Sequence, residues 1–148
     1  MPANPDRIVN GLSVDVEDWF QVGAFEGVIG RDAWDSLPDR VERNIDEILA
    51  LFAACDVQAT FFTLGWVAQR HGPVMRRIVA AGHELASHGW DHSRVFTLGR
   101  KAFAADIERA RKVLEDASGM AITGYRAPSF SIDQRTPWAY EVLAEQGY

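Results

Sequence analysis

Cysteine is almost absent from this sequence, since Cys55 is the only one among 148 residues. A single cysteine forms no internal disulfide and supplies no cysteine-rich zinc cluster, so a packed core must stabilise the fold. Long apolar runs are also missing, because no window approaches the roughly 18 consecutive apolar residues of a membrane span. Acidic residues outnumber basic ones, 21 to 15, which gives a formal net charge of -6. That balance argues against a nucleic-acid-binding surface, which needs a basic face.

The beginning of the chain, MPANPDRIVNG, lacks the apolar core of a secretory signal. We therefore expect a cytoplasmic location. No repeat, low-complexity tract or linker composition interrupts the sequence, so residues 1–148 are predicted to belong to one domain.

Apolar periodicity predicts strands that alternate with helices along the whole chain. The predicted strands cover 8–16, 57–65, 83–88 and 122–128. The predicted helices begin after Asp39 as N-cap, at Pro73, near residue 98 and after Thr136 as N-cap. Such alternation indicates parallel strands joined by helical crossovers, with the site at the carboxyl ends of the strands. We expect residues 21–38 to form a loop that could contain a short helical turn.

Three carboxylates stand close together where the first predicted strand ends, in the stretch SVDVEDWF (13–20). Strand geometry puts Asp15 and Glu17 on one face, while Val16 points away. Asp18 lies just beyond, where a turn could redirect it toward the site or use it as a cap. A bound cation would neutralise such crowded acids. One acid would bind the cation and a second would act as a base: we assign Asp15 as the base and leave the ligand open between Glu17 and Asp18.

Two histidines four residues apart, His88 and His92, follow the third predicted strand in SHGWDH. Two imidazoles and a carboxylate are a familiar ligand set for catalytic zinc and related divalent ions. With the acids on an adjacent strand, this spacing predicts a metal site.

The stretch YRAPSF brings Arg126 to the same edge of the predicted sheet. A guanidinium there would keep Asp15 ionised and orient it by paired hydrogen bonds. Pro128 would stiffen the loop, so that a backbone N–H of Ser129 or Phe130 could face a developing oxyanion.

Two tryptophans beside these motifs, Trp19 and Trp90, could line a sugar groove, because aromatic faces stack on sugar rings. Trp34 and Trp138 are expected to be packing residues, and Trp66 is expected to lie in the core.

Together with ATFF (59–62), the three stretches resemble the NodB homology domain of polysaccharide deacetylases, carbohydrate esterase family 4. The resemblance extends along essentially the whole chain. It implies an α/β fold, a distorted (β/α) barrel of which this chain holds the four N-terminal β/α units. It also implies metal-dependent removal of N- or O-acetyl groups from a polysaccharide or oligosaccharide, most simply with zinc, or with cobalt.

Residue by residue, the resemblance implies that Asp15 is the base, that His88 and His92 bind the metal, and that Arg126 tethers the base. The family usually has a second aspartate directly after the base, as a metal ligand. Val16 stands at that place, so the carboxylate ligand falls to Glu17 or Asp18. The DVEDWF form looks closest to a bacterial subgroup associated with exopolysaccharide synthesis.

Two further motifs of the family have no counterpart in this sequence: one contains a tryptophan of the acetyl pocket, the other a histidine that acts as general acid. We therefore expect the N-terminal part of a longer domain, able to hold a metal but a poor catalyst. Four strands do not close a barrel, so an open sheet edge is expected, through which chains could associate.

Two other functions remain open at this point. Relatives of this fold hydrolyse cyclic amides such as imides or allantoin, and the altered first acid motif is compatible with that chemistry. The domain could also be a non-catalytic remnant that binds glycan.

Overall fold

Over residues 10–148, which are those that the computed structural model describes, a three-stranded parallel sheet is flanked by helices. The strands β1 (Ser13–Val16), β2 (Thr60–Thr63) and β3 (Glu84–Ser87) follow one another across the sheet in chain order. The helices are α1 (Val41–Ala54), α2 (Gly65–Arg70), α3 (Gly72–Ala80), α4 (Val95–Ser118) and α5 (Trp138–Glu145). Short 3-10 helices cover Gly23–Phe25, Arg31–Ser36 and Pro128–Phe130. The predicted α/β class and the parallel sheet are confirmed.

The core lies between the sheet and the helices that cross it. Phe61 of β2 and Leu64 just after it are fully buried, as are Ile78 of α3 and Leu114 of α4. A second apolar cluster joins α4 to α5 through Phe103, Ile107 and Val142, among others. These residues recur at helical spacing, so each helix buries one stripe and leaves its charged face in water. The packing fixes the strand ends that carry the site.

The prediction of a fourth strand over residues 122–128 was wrong. Within the described residues this segment makes one isolated parallel bridge, between Tyr125 and Ser87. The Ser87 N–H donates to the carbonyl of Gly124 (2.8 Å), and the Arg126 N–H donates to the carbonyl of Ser87 (2.9 Å). Glycine weakens a strand interior, and Pro128 has no N–H with which to extend the ladder. The segment nevertheless runs beside β3, which carries Arg126 to the strand ends as expected.

Several element boundaries differ from the prediction. Residues 8 and 9 lie outside the described part of the chain. Residues 10–12 precede β1, although the Leu12 carbonyl accepts the N–H of Thr60 (3.1 Å). Helix α2 was not predicted, because the apolar run from β2 continues directly into it. Helix α4 begins at Val95 and is interrupted at Gly99, whose φ of 71° and ψ of 164° are not helical. In the residues that the structure describes, no helix has the length and apolar character needed to cross a membrane.

Candidate metal centre

The carboxyl ends of β1 and β3 and the segment after Tyr125 surround one cleft of about 250 Å³. Its walls contain most of the polar residues that the sequence singled out. The lining residues are Asp15, Glu17, Val22, Gly23, His88, His92, Arg126, Ala127, Ser129 and Phe130. The topology therefore brings three separate motifs to one place.

Glu17, His88 and His92 form a compact group in this cleft. Each offers one ligand atom, and these three atoms lie within 4.8 Å of one another. Glu17 directly follows β1 and His88 directly follows β3. These two strands had been expected to be adjacent, but β2 lies between them and sets their separation. His92 has a φ of 61°, and the turn it closes brings its ring to 5.4 Å from that of His88, centroid to centroid.

Burial keeps both imidazoles uncharged. Burial lowers the pKa of His88, and burial together with the neighbouring His88 and Arg94 lowers the pKa of His92 to about 4. The Nδ1 atom of His88 lies 2.8 Å from the backbone carbonyl oxygen of Arg126. Because a carbonyl only accepts, Nδ1 carries the proton and Nε2 keeps its lone pair for a ligand. Both histidines are therefore in the protonation state that a metal needs.

One carboxylate oxygen of Glu17 has no hydrogen-bond donor. This observation bears on whether the group of Glu17, His88 and His92 fits a cation. Its Oε2 is buried and lies 3.0 Å from Nε2 of His92, yet no donor among the described residues is aligned to hydrogen-bond with it. Burial first, and the nearby Asp15 second, raise the pKa of Glu17 to about 7. A cation would compensate both the missing donor and the repulsion. Two imidazoles and one carboxylate are the donor set of catalytic zinc, so these residues fit a divalent metal.

Asp15 is held beside this group by Arg126. The guanidinium donates from Nη1 to Oδ1 of Asp15 (2.6 Å) and from Nη2 to Oγ of Ser13 (2.7 Å). Its central carbon also lies 4.0 Å from the ring centre of Phe62. These three contacts fix the plane of the guanidinium and with it the orientation of the carboxylate. The expected contact of Arg126 with Asp15 is present, but it is one hydrogen bond instead of the expected pair, because the second guanidinium nitrogen binds Ser13.

Asp18 is not part of the group, which corrects its candidacy as a metal ligand. Its side chain is buried, and Oδ2 accepts the backbone N–H groups of Arg40 (2.7 Å) and Val41 (3.1 Å). Oδ1 accepts the N–H of Trp19 (2.8 Å). The carboxylate thus caps the N-terminus of α1, where unpaired N–H groups and the helix dipole favour a negative charge. The sequence analysis predicted that Asp39 would cap this helix. The structure gives the cap to Asp18 instead.

The segment after Arg126 has unusual backbone geometry. Pro128 is buried, while Ser129 and Phe130 both have a φ of 52°, in the left-handed region that few side chains adopt. The Phe130 side chain is 94% exposed although it lines the cleft. The fold therefore holds an aromatic ring in water at the rim of the site.

The two tryptophans proposed for a sugar groove lie elsewhere. Trp19 donates its indole N–H to the carbonyl of Pro38 (3.1 Å) and does not line the cleft. Trp90 is buried, and the guanidinium carbon of Arg109 lies 3.4 Å from its ring centre. Neither ring lines the cleft, which corrects their expected contact with a sugar at this site.

Asp106 is a residue of this region that the sequence analysis missed. It lies on α4, partly buried, and its Oδ2 accepts the backbone N–H of Trp90 (3.1 Å). Burial is the main cause that raises its pKa to about 6. This bond anchors the turn between His88 and His92. The sequence held one indication of this role: the aspartate directly precedes Ile107 and so lies beside the apolar stripe of α4.

Comparisons with a family model and with known proteins point to the same family. The family model described as "Polysaccharide deacetylase" matches residues 33–148. A protein named peptidoglycan deacetylase from Helicobacter pylori is 28% identical over 134 residues, which are 86% of this chain and 45% of that protein. This chain thus spans less than half the length of that relative.

Solved structures agree on the fold. A crystal structure from Mycobacterium smegmatis, assigned to the polysaccharide deacetylases, is 26% identical and covers 100% of this chain and 54% of its own, with a TM-score of 0.75. A pseudoenzyme of carbohydrate esterase family 4 from Bacillus anthracis is 19% identical, with a TM-score of 0.72 over 97% of this chain and 42% of its own. The second likeness concerns the fold alone. The sheet and helices described above are thus the part of this architecture that the chain contains.

Proposed function

This chain belongs to the polysaccharide deacetylase family, and from that premise we propose that it contributes the metal and base of a hydrolase that removes acetyl groups from an N-acetylated polysaccharide. One observation carries the proposal. The ligand group of Glu17, His88 and His92 shares a cleft with a carboxylate, Asp15, that a buttressed arginine orients. Metal-dependent hydrolysis of an amide combines these two parts, an electrophilic centre and a proton acceptor, at one point.

Glu17, His88 and His92 would hold the metal, which we propose to be zinc, or cobalt. When bound, such an ion supplies Lewis-acid activation of water and of a carbonyl oxygen. The uncharged state of the two imidazoles and the free Oε2 of Glu17 prepare the three side chains for that role.

Asp15 would accept the proton of the attacking water. Its Oδ1 is bound by Arg126, so Oδ2 is the oxygen left for the proton. Arg126 acts through Asp15 by fixing where that oxygen points, because its guanidinium is itself held by Ser13 and the ring of Phe62. A small loss of this orientation is costly, since proton transfer needs close heavy-atom contact.

The strained segment at Ser129 and Phe130 would contact the substrate. The left-handed conformation of both residues aims backbone groups differently from an ordinary extended chain, and both residues line the cleft. A backbone N–H there would stabilise the oxyanion that forms as water attacks. The exposed ring of Phe130 would stack on a sugar at the rim.

The test is acetate release from N-acetylglucosamine oligomers by the zinc-loaded chain, compared with its Asp15→Asn variant. We expect the variant to lose roughly 10²–10⁴-fold in rate, the usual contribution of a positioned base. Asp56→Asn is the matched control, because Asp56 is exposed and its φ of 53° is one that asparagine tolerates. Acetylated exopolysaccharides are the second substrate class to assay.

Two outcomes would contradict this proposal. The first is hydrolysis of cyclic imides with the oligosaccharides left intact. The second is binding of oligosaccharide with no turnover in a zinc-loaded chain, which would favour a glycan-binding domain.

A further inference from the structure

A second, smaller cavity adjoins the metal centre. Its volume is about 90 Å³, and it is formed largely by the segment between β1 and α1. It shares Val22, Gly23 and His92 with the larger cleft, so His92 forms part of the wall of both. A group bound here would therefore lie directly beside a group bound at the metal.

Two hydrogen-bond donors among the lining side chains have no acceptor within the described residues. They are Nε2 of Gln21 and Nε1 of Trp34, and both side chains are at least nine-tenths buried, with 3% and 5% exposed. The orientation of the Gln21 amide is fixed, because its Oε1 accepts the N–H of Asp18 (2.7 Å). Nε2 is therefore a true donor. A buried N–H without an acceptor is costly. Because both residues line this cavity, an acceptor bound in it could pair with the two nitrogens once their side chains shift to expose them.

The remaining walls favour a neutral acceptor with a short apolar substituent. Phe20 and Ile29 supply apolar surface, and the ring of Trp34 adds to it. The two charged side chains in the lining are already paired, Glu26 with Arg94 (2.7 Å) and Arg31 with Asp91 (3.0 Å). Without a spare positive charge, a buried carboxylate would be poorly compensated. A carbonyl oxygen beside a methyl group meets both demands.

We propose that this cavity binds the acetamido group of a sugar next to the one whose acetyl group lies at the metal. The carbonyl oxygen accepts hydrogen bonds from Gln21 and Trp34, and the methyl group packs on Phe20. This proposal rests on the proposed function, since it takes its ligand from the same glycan. It makes Gln21 and Trp34 determinants of substrate choice: a glycan that lacks acetylation on the neighbouring sugar leaves both donors unpaired.

The experiment measures binding in the metal-free chain, so that it does not depend on catalysis. The probe is N-methylacetamide, titrated while the indole N–H signals are followed by ¹H–¹⁵N NMR, with the Trp34 signal identified by its loss in Trp34→Phe. We expect saturable shifts of that signal with a millimolar dissociation constant, as befits so small a ligand. Acetate is the second probe and is expected to shift it much less.

Gln21→Glu tests the second donor while keeping an oxygen for the N–H of Asp18. We expect at least about tenfold weaker binding, the effect of one lost hydrogen bond to a buried donor. Gln58→Glu, at an exposed position, makes the same charge change and should bind as the wild type does.

Three results would overturn the proposal: no saturable shift at Trp34, stronger binding of acetate than of the amide, or unchanged binding in Gln21→Glu. The first would mean that the two donors are satisfied by water alone. Failure of deacetylation with intact amide binding would instead count against the proposed function and leave this cavity as a binding site.

Discussion

Zinc affinity should depend on pH through Glu17 rather than through the histidines. In the metal-free chain the pKa of Glu17 is raised to about 7 and that of His92 is lowered to about 4. At pH 5 the imidazole of His92 is therefore largely uncharged, and burial lowers the pKa of His88 as well, whereas about 1% of Glu17 is ionised. Because a carboxylate must lose its proton to bind the metal, zinc affinity at pH 5 should be about 100-fold below its plateau above pH 7.

The sign follows from the direction of the shift. A raised carboxylate pKa means that the folded chain holds its proton to higher pH, so binding competes with that proton throughout the range from pH 5 to 7. Calorimetric zinc titrations at several pH values, in buffers of different ionisation enthalpy, give both the affinity and the number of protons released. Close to one proton should be released per zinc at pH 6.

Two variants separate the causes of the shift. Glu17→Gln should bind zinc weakly and with little pH dependence from pH 5 to 7, whereas Glu47→Gln, on an exposed part of α1, should match the wild type. Asp15→Asn removes the charge repulsion but not the burial, which is the larger cause, so the midpoint should fall without reaching that of an exposed glutamate. A flat affinity profile, or a midpoint near 4.5 in the wild type, would refute the reasoning.

Three further substitutions test the surrounding structure. Asp18→Ala should lower the free energy of unfolding by about 1–3 kcal/mol, because it removes the hydrogen-bond acceptor at the start of α1. Urea unfolding measures this change. Loss of zinc affinity at unchanged stability would contradict the assignment of Asp18 as a cap. Gly65→Ala should destabilise the chain by about 1–3 kcal/mol. The reason is that a Cβ would lie 2.6 Å from the ring of Trp90, and an unchanged thermal midpoint would count against this. Arg126→Lys should keep zinc but lower the deacetylation rate by roughly 10²-fold, since lysine has no planar group that binds Asp15 and Ser13 at once. A wild-type rate would show that orientation of the base is unimportant.

The motifs and the rim on which they meet could be read from the sequence because both depend on local pattern. Alternation along a strand places Asp15 and Glu17 toward one side and buries Val16, which is 1% exposed. The parallel β/α order then brings His88 to the same edge. Nothing beyond residue spacing and strand direction is needed for this part of the site.

A cap role for Asp18 was one of the two alternatives, but that it caps α1 could not be predicted, because these partners are distant in sequence. The N–H groups that it accepts belong to residues 40 and 41, and only the folded path of the intervening loop brings them within reach. The same limit applies to Trp90, whose ring lies under Arg109 of α4 instead of facing the cleft. Side chains that stand close to a site residue in the sequence can thus be turned away from the site by tertiary packing. The spacing of residues in a motif does not predict that packing.

The measurement that tests the central claim most directly is the metal content of the purified chain, by elemental analysis after zinc loading. The wild type should hold close to one zinc per chain, and His88→Ala should lose it. His71→Ala is the control that should retain the metal, because His71 lies between α2 and α3, away from the cleft. A wild type without zinc, or a His88→Ala variant that keeps it, would contradict the assignment of the metal to Glu17, His88 and His92.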